Sequence, residues 1–110
     1  MKTILVTGTS SGIGNQICIQ AAAMNFRVIS VSRNIEPLKD LGGIESFKLD
    51  ITDKDSVDDF VTNLKNRKIK IDILINNAGY LVSELFSETT YDSFKKTFDV
   101  NVFGLAEITR

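Results

Sequence analysis

Histidine and tryptophan are absent from this 110-residue chain, cysteine and proline occur once each, and neither sign of charge prevails. Each shortage removes a class of function. With no histidine and Cys18 alone, a zinc site, a histidine-based catalytic triad or an internal disulfide has no material. Cys18 is read as a small apolar packing residue. Thirteen basic residues against fourteen acidic ones give a formal charge of -1, so no electrostatic footprint for nucleic acid or an anionic membrane is expected. No apolar run approaches the ~20 residues that span a bilayer, and Met1 and Lys2 lead straight into "TILVTG" rather than into a basic, apolar leader. The expected compartment is the cytoplasm. With 43% hydrophobic and 25% charged residues, the remainder is an ordinary globular composition of single-domain size.

What is present alternates. Branched, apolar runs at "TILVT", "RVISVS", "ESFKLD" and "IDILIN" are separated by stretches of helical spacing, the pattern of βαβ units and hence of an α/β fold with a parallel sheet. Ile13, Ile17, Ala21 and Met24 recur at helical spacing and are expected to face that sheet. Val57, Phe60, Val61 and Leu64 form a second apolar stripe, preceded by Thr52 and Asp55 in a capping-box arrangement. The connection "IEPLKDLGG", bracketed by Pro37 and the Gly42-Gly43 pair, has room for a turn or two of helix. Tyr91, Phe94, Phe98 and Val102 predict a further helix buried along one face. No linker or low-complexity tract divides the chain, so residues 1–110 are expected to form one domain.

The chemistry is carried by "ILVTGTSSGIGNQI", where three glycines stand between the first strand and the first helix. A parallel strand must turn sharply into its helix, and Gly8 supplies the freedom in φ for that turn. Gly12 lacks a side chain where a pyrophosphate would approach the backbone, and Gly14 lets the helix pack tightly. The unpaired N–H groups and the dipole of the helix start then hold the anion. The spacing T-G-x-x-x-G-x-G differs from G-x-G-x-x-G and lacks the Lys-Ser/Thr ending of a P-loop.

With that turn, "LDITD" after the third strand, "NNAG" after the fourth and "DVNVFG" in the last helical stretch, the sequence resembles the short-chain dehydrogenase/reductase family. The resemblance implies a Rossmann-type doubly wound parallel sheet, here cut to about four strands in the order 3-2-1-4. It implies cofactor contacts at Gly8, Ser10, Ser11, Gly12, Ile13 and Gly14, at Asp50 and Ile51 beside the adenine ring, and at Asn77, Ala78 and Gly79 along the cleft. It makes Asn101 the asparagine of the family's catalytic tetrad. On residue type alone, Asp50 fits a turn or cap as well as a ligand contact, and Asn76 and Asn77 fit turn formers before Gly79. Asn101 is an unfavourable choice within a helix, which argues for a reason beyond propensity.

The end of the second strand bears on the cofactor. A carboxylate there would bind the 2′-hydroxyl of NAD, whereas an arginine accommodates the 2′-phosphate of NADP. The strand ends at Ser32, Arg33 and Asn34, with no carboxylate until Glu36, so NADP is expected in preference to NAD, and Arg33 as its contact. The family's serine and Tyr-x-x-x-Lys pair follow the tetrad asparagine in chain order, and residues 102–110 hold no counterpart. The 110 residues by themselves are therefore expected to be inactive. "YDSFK" does spell Tyr91-x-x-x-Lys95, but it precedes Asn101 and shares the apolar stripe, so Tyr91 is read as helix packing. The fourth strand reads as one covered on both faces and paired on both sides, so a four-strand sheet ending in it is expected to be marginally folded or oligomeric.

Two functions follow. One is the cofactor-binding half of an NADP(H)-dependent oxidoreductase acting on a small carbonyl or alcohol, in a homo-oligomer as the resemblance implies. The other is a non-catalytic dinucleotide-binding module for redox sensing or interaction. Asn101, of little use to a pure binder, favours the first. Of the substrate's walls, only "YLVSELFSE" at Tyr80 to Glu88 is present.

Overall fold

Side-chain alternation in two central strands decides where everything else packs. In the computed structural model, which describes residues 1–10, 12–38, 41–79 and 90–110 apart from the side chain of Phe94, β1 spans Thr3–Thr7 and β2 Arg27–Ser32. Ile4, Val6 and Val28 point to one face of the sheet, and Leu5, Ile29 and Val31 to the other. Both faces are covered, so apolar residues occupy successive central positions of each strand, with Ser30 and Ser32 buried among those of β2.

The flanking elements complete a four-stranded parallel sheet. β3 (Ile44–Lys48) pairs with β2, β4 (Ile73–Ile75) pairs with β1, and the order is β3-β2-β1-β4. The 3-2-1-4 order expected from the sequence is the observed one. Helix α1 (Gly12–Ala23) covers the face of Ile4 and Val6, while α2 (Lys54–Asn66) brings Val57, Phe60 and Leu64 to the other. Phe60 meets Phe47 edge to face with ring centroids 5.1 Å apart. The "IEPLKDLGG" connection holds a single 3₁₀ turn, Glu36–Leu38, with Leu38 buried.

Both long helices close with a left-handed residue, Asn25 at φ 65° and Lys68 at φ 56°. After α1, Phe26 N donates to Ala21 O and Asn25 N to Ala22 O; after α2, Ile69 N donates to Leu64 O and Lys68 N to Lys65 O. These are Schellman closures, which satisfy the last helical carbonyls.

Three sequence expectations need correction. First, α1 buries Gly14 against the Gly8 turn and Cys18 and Ala21 against the sheet, while Ile13 (73% exposed) and Met24 (70%) face outward. A side chain at residue 14 would strike the carbonyl oxygen of Gly8 and the amide of Asn77, so the glycine must point inward and Ile13, one residue earlier, is turned out. Second, the cap of α2 is Asp53, whose carboxylate accepts from the N–H groups of Asp55 and Ser56; Thr52 instead hydrogen-bonds Asp50. Third, the described residues of the stripe on α3 (Tyr91–Phe98) are not buried, the side chain of Phe94 lying outside the description. Tyr91 is 77% exposed, and Phe98, Val102 and Phe103 are also exposed. No described element lies over that face.

From Asp99 to Gly104 the helix widens into a π turn before closing as α4 (Leu105–Thr109). Ile108 joins the α2-side core, and Gly104 is buried where a Cβ would come within 2.9 Å of Ile51 Cγ1. β4 pairs only with β1 among the described residues, and Ile73 is exposed.

Candidate functional site

In a parallel sheet all strands deliver their following loops to one edge, and here four loops converge there. Thr7, 1% exposed at the end of β1, ties two of them together: its Oγ1 accepts the N–H of Asn77 at 3.1 Å and of Ala78 at 3.0 Å. Asn77 Nδ2 returns a bond to the Gly8 carbonyl at 3.0 Å, and the Gly8 N–H donates to Val31 O at 3.0 Å. Gly8 sits at φ +69°, and a Cβ there would stand 2.6 Å from Ala78 Cα. Glycine is thus required twice over, by conformation and by contact.

The result is a cleft of about 600 Å³. Its floor and near walls are Gly8 and Ser10, residues 31–34 at the end of β2 and just beyond it, residues 49–52 after β3, and Asn77, Ala78 and Gly79 after β4. The far wall is α3 and its continuation, through Asp92, Lys95, Lys96, Asp99 and Val100.

Partial burial pushes the Asp50 carboxyl up, but the hydrogen bonds from Thr52 Oγ1 (2.6 Å) and Thr52 N (2.9 Å), with the charges of Arg33 and Lys96, hold it below the ordinary aspartate value. Asp50 therefore stands as a carboxylate in the cleft. Across from it, Lys95 Nζ bonds Asp99 Oδ2 at 2.7 Å, and that bond raises the lysine's pKa.

Of the residues singled out in the sequence, Gly8, Ser10, Arg33, Asp50, Ile51, Asn77, Ala78 and Gly79 line this one cleft. Gly12 and Ile13 border an open hollow along the outer face of α1, which shares Ser10 with the cleft. Gly12, at φ +62°, has nothing within 4 Å of where a Cβ would stand, so its backbone can be approached closely. Gly14 is buried behind the turn, packed on the Gly8 loop and Asn77 rather than on the strands. Asn101 lies in the π turn at the margin, exposed, its Oδ1 3.5 Å from where a Gly79 Cβ would stand. Ser11 and the Tyr80 to Glu88 wall lie outside the described residues. Tyr91 takes no part in the lining, and Lys95 pairs with Asp99.

Thr7 is the functional residue the sequence reading passed over, although a polar side chain closing the run "TILV" was a signal. The α3 wall carried none, because nothing local marks which face of a helix meets strands more than forty residues earlier. Among the described residues no cluster of three metal-ligating side chains occurs, and no helix is long and apolar enough to cross a membrane.

The family model for short chain dehydrogenase matches residues 2–110. An NADPH-dependent 1-acyldihydroxyacetone phosphate reductase of Schizosaccharomyces pombe is 31% identical, over 99% of this chain and 38% of that protein. A short-chain dehydrogenase structure from Streptomyces avermitilis superposes with a TM-score of 0.93 at 38% identity, covering 99% of this chain and 42% of that one. A 4-hydroxyisoleucine dehydrogenase complexed with NADH superposes with a TM-score of 0.91 at 28% identity, covering 100% of this chain and 47% of the other. The chain spans about two fifths of the length of the curated relatives it matches.

Proposed function

Because the chain belongs to the short-chain dehydrogenase family, we propose that residues 1–110 form the cofactor-binding portion of an NADP(H)-dependent oxidoreductase that passes hydride between a nicotinamide and a carbonyl or alcohol substrate. The observation that carries the reading is the cleft at the carboxyl edge of the sheet, with a glycine turn at one end and Arg33 rather than a carboxylate closing β2. Similar proteins use either cofactor form, NADPH in the fission yeast reductase and NADH in the hydroxyisoleucine enzyme.

The residues present fit such a group. Gly12 leaves its backbone open to the pyrophosphate, and the first turn of α1 has unpaired N–H groups and no acidic side chain to repel an anion. Asp50, Ile51 and Ala78 line the part of the cleft assigned to the adenine, and Arg33 supplies a planar donor set for the 2′-phosphate. Bound NADP(H) supplies or takes the hydride; the chain's part is to hold and orient it. Asn101, at the margin by Gly79, is assigned the catalytic role of the tetrad asparagine. The exposed Phe98, Val102 and Phe103 support a homo-oligomer.

The test is a titration of the protein with NADPH and NADH, followed by calorimetry because the chain has no tryptophan. A charge-assisted hydrogen bond contributes ~1.5–3 kcal/mol, so Arg33→Ala should weaken NADPH about 10- to 100-fold. NADH should change by less than about threefold, since it lacks the phosphate. Equal losses for both cofactors would refute the assignment of Arg33.

A further inference from the structure

We propose that Thr52 is a positioning residue for the base of the bound dinucleotide: it holds the Asp50 carboxylate so that one oxygen is left to accept a hydrogen bond from the exocyclic amine of adenine. The inference rests on the reading of the cleft as a dinucleotide site, and on no choice between NADP and NAD. The backbone at Asp50 is fixed on both sides. Leu49 N donates to Ser32 O at 2.8 Å, joining the chain to the end of β2, and Asp53 N donates to Asp50 O at 3.0 Å, closing a turn into α2. Ile51 is buried and anchors the same turn in the α2-side core. What is left to the Asp50 side chain is rotation about its own torsions.

Thr52 removes that freedom. Its backbone N–H donates at 2.9 Å and its hydroxyl at 2.6 Å, and both bonds fall on Oδ1. Each oxygen of an ionised carboxylate has two lone pairs, so these bonds fill Oδ1 and the acceptor capacity that remains lies on Oδ2. Asp50, Ile51 and Thr52 line the cleft together. A carboxylate held in this way discriminates between bases, because it accepts from the amine of adenine and repels the carbonyl oxygen that hypoxanthine carries in the same place. Thr52 is exposed, and the cap of α2 is supplied by Asp53, so the threonine hydroxyl has no part in closing that helix.

The experiment is calorimetric titration of the parent protein, Thr52→Val, Thr52→Ser and Asp50→Asn with NADPH and NADH, and with the hypoxanthine analogue of whichever the parent binds more tightly. The parent should prefer adenine over hypoxanthine by about tenfold or more, the worth of one charge-assisted hydrogen bond. Thr52→Val loses one of the donors on Oδ1 and should cut that preference about three- to tenfold, while Thr52→Ser keeps the hydroxyl and should retain it. Asp50→Asn should reverse the preference: the Thr52 donors select the carbonyl oxygen of the amide, which leaves its NH₂ group for the base and favours the hypoxanthine carbonyl. A merely structural role of Thr52 would move both ligands together and produce no reversal. If Thr52→Val keeps the parent's preference or weakens both ligands equally, if Asp50→Asn does not reverse it, or if the parent binds both bases alike, the role of Thr52 is overturned and the cofactor reading stands. A parent protein that binds none of these dinucleotides overturns the cofactor reading and the role of Thr52 with it.

Discussion

Replacing Gly8 by alanine tests the geometry of the turn against a built-in control. Gly8 and Gly12 share a left-handed backbone, φ +69° and +62°, so in both an alanine bears the same conformational cost of ~1–2 kcal/mol. Alanine also narrows the unfolded ensemble, which offsets ~0.4–1 kcal/mol of that. The two sites then part company. At Gly12 a Cβ meets nothing within 4 Å, whereas at Gly8 it lies 2.6 Å from Ala78 Cα and 2.8 Å from Ala78 N. That backbone is not free to retreat, being held by the Ala78 N–H to Thr7 and by Asn77 Nδ2 to the Gly8 carbonyl. Overpacking of this kind costs ~1–3 kcal/mol, so Gly8→Ala should lose about 2–4 kcal/mol in all and Gly12→Ala about 1 kcal/mol. Against a total stability of roughly 5–16 kcal/mol for this length, the difference is large. Urea unfolding followed by circular dichroism should place the Gly8→Ala midpoint about 1 M below that of Gly12→Ala. Coincident midpoints would show that Ala78 does not constrain the turn.

Thr7→Val keeps the shape of the side chain but removes the acceptor for two N–H groups, and each unpaired buried donor costs ~1–3 kcal/mol. Thr7→Ser should retain most of the stability that Thr7→Val loses in the same urea assay; equal losses would exclude the hydroxyl as the cause. Acid should also destabilise the protein through two carboxylates. Glu45, hydrogen-bonded by Arg67, and Asp50, hydrogen-bonded by Thr52, both have folded pKa values below the ordinary ones. Such groups contribute stability that is present above their unfolded values of about 4 and lost as pH falls through the lower folded values. The urea midpoint should therefore drop below about pH 4, and drop less in Glu45→Gln; a midpoint that rises on acidification would contradict the sign.

Local regularity made much of this protein readable in its sequence. Strand and helix periods were enough for a parallel sheet, and the family resemblance supplied its 3-2-1-4 order. Turn chemistry marked Gly8, the residue type after the second strand marked Arg33, and the resemblance marked Asp50 and Asn77; all four line one cleft. Where two local signals competed, reading failed by a residue. Thr52 and Asp53 are both good caps, and the choice went to Asp53 because Thr52 is drawn to Asp50. The stripe of α1 differs because an apolar tally favours Ile13, whereas the Gly8 carbonyl and Asn77 leave no room for a side chain at Gly14.

The rest depended on distances between parts of the chain far apart in sequence. Thr7 gains its role only when Asn77 and Ala78, seventy residues on, bring their N–H groups to its hydroxyl. Lys96 becomes part of the cleft only because a π turn and Gly104 seat its helix on Ile51, and Tyr91 is left outside by the same placement. The sequence alone determined the period of each element and the chemistry of each turn, because these arise between neighbours along the backbone. Which side chains share a wall was decided by the tertiary structure, because burial and electrostatic contact depend on distance in space.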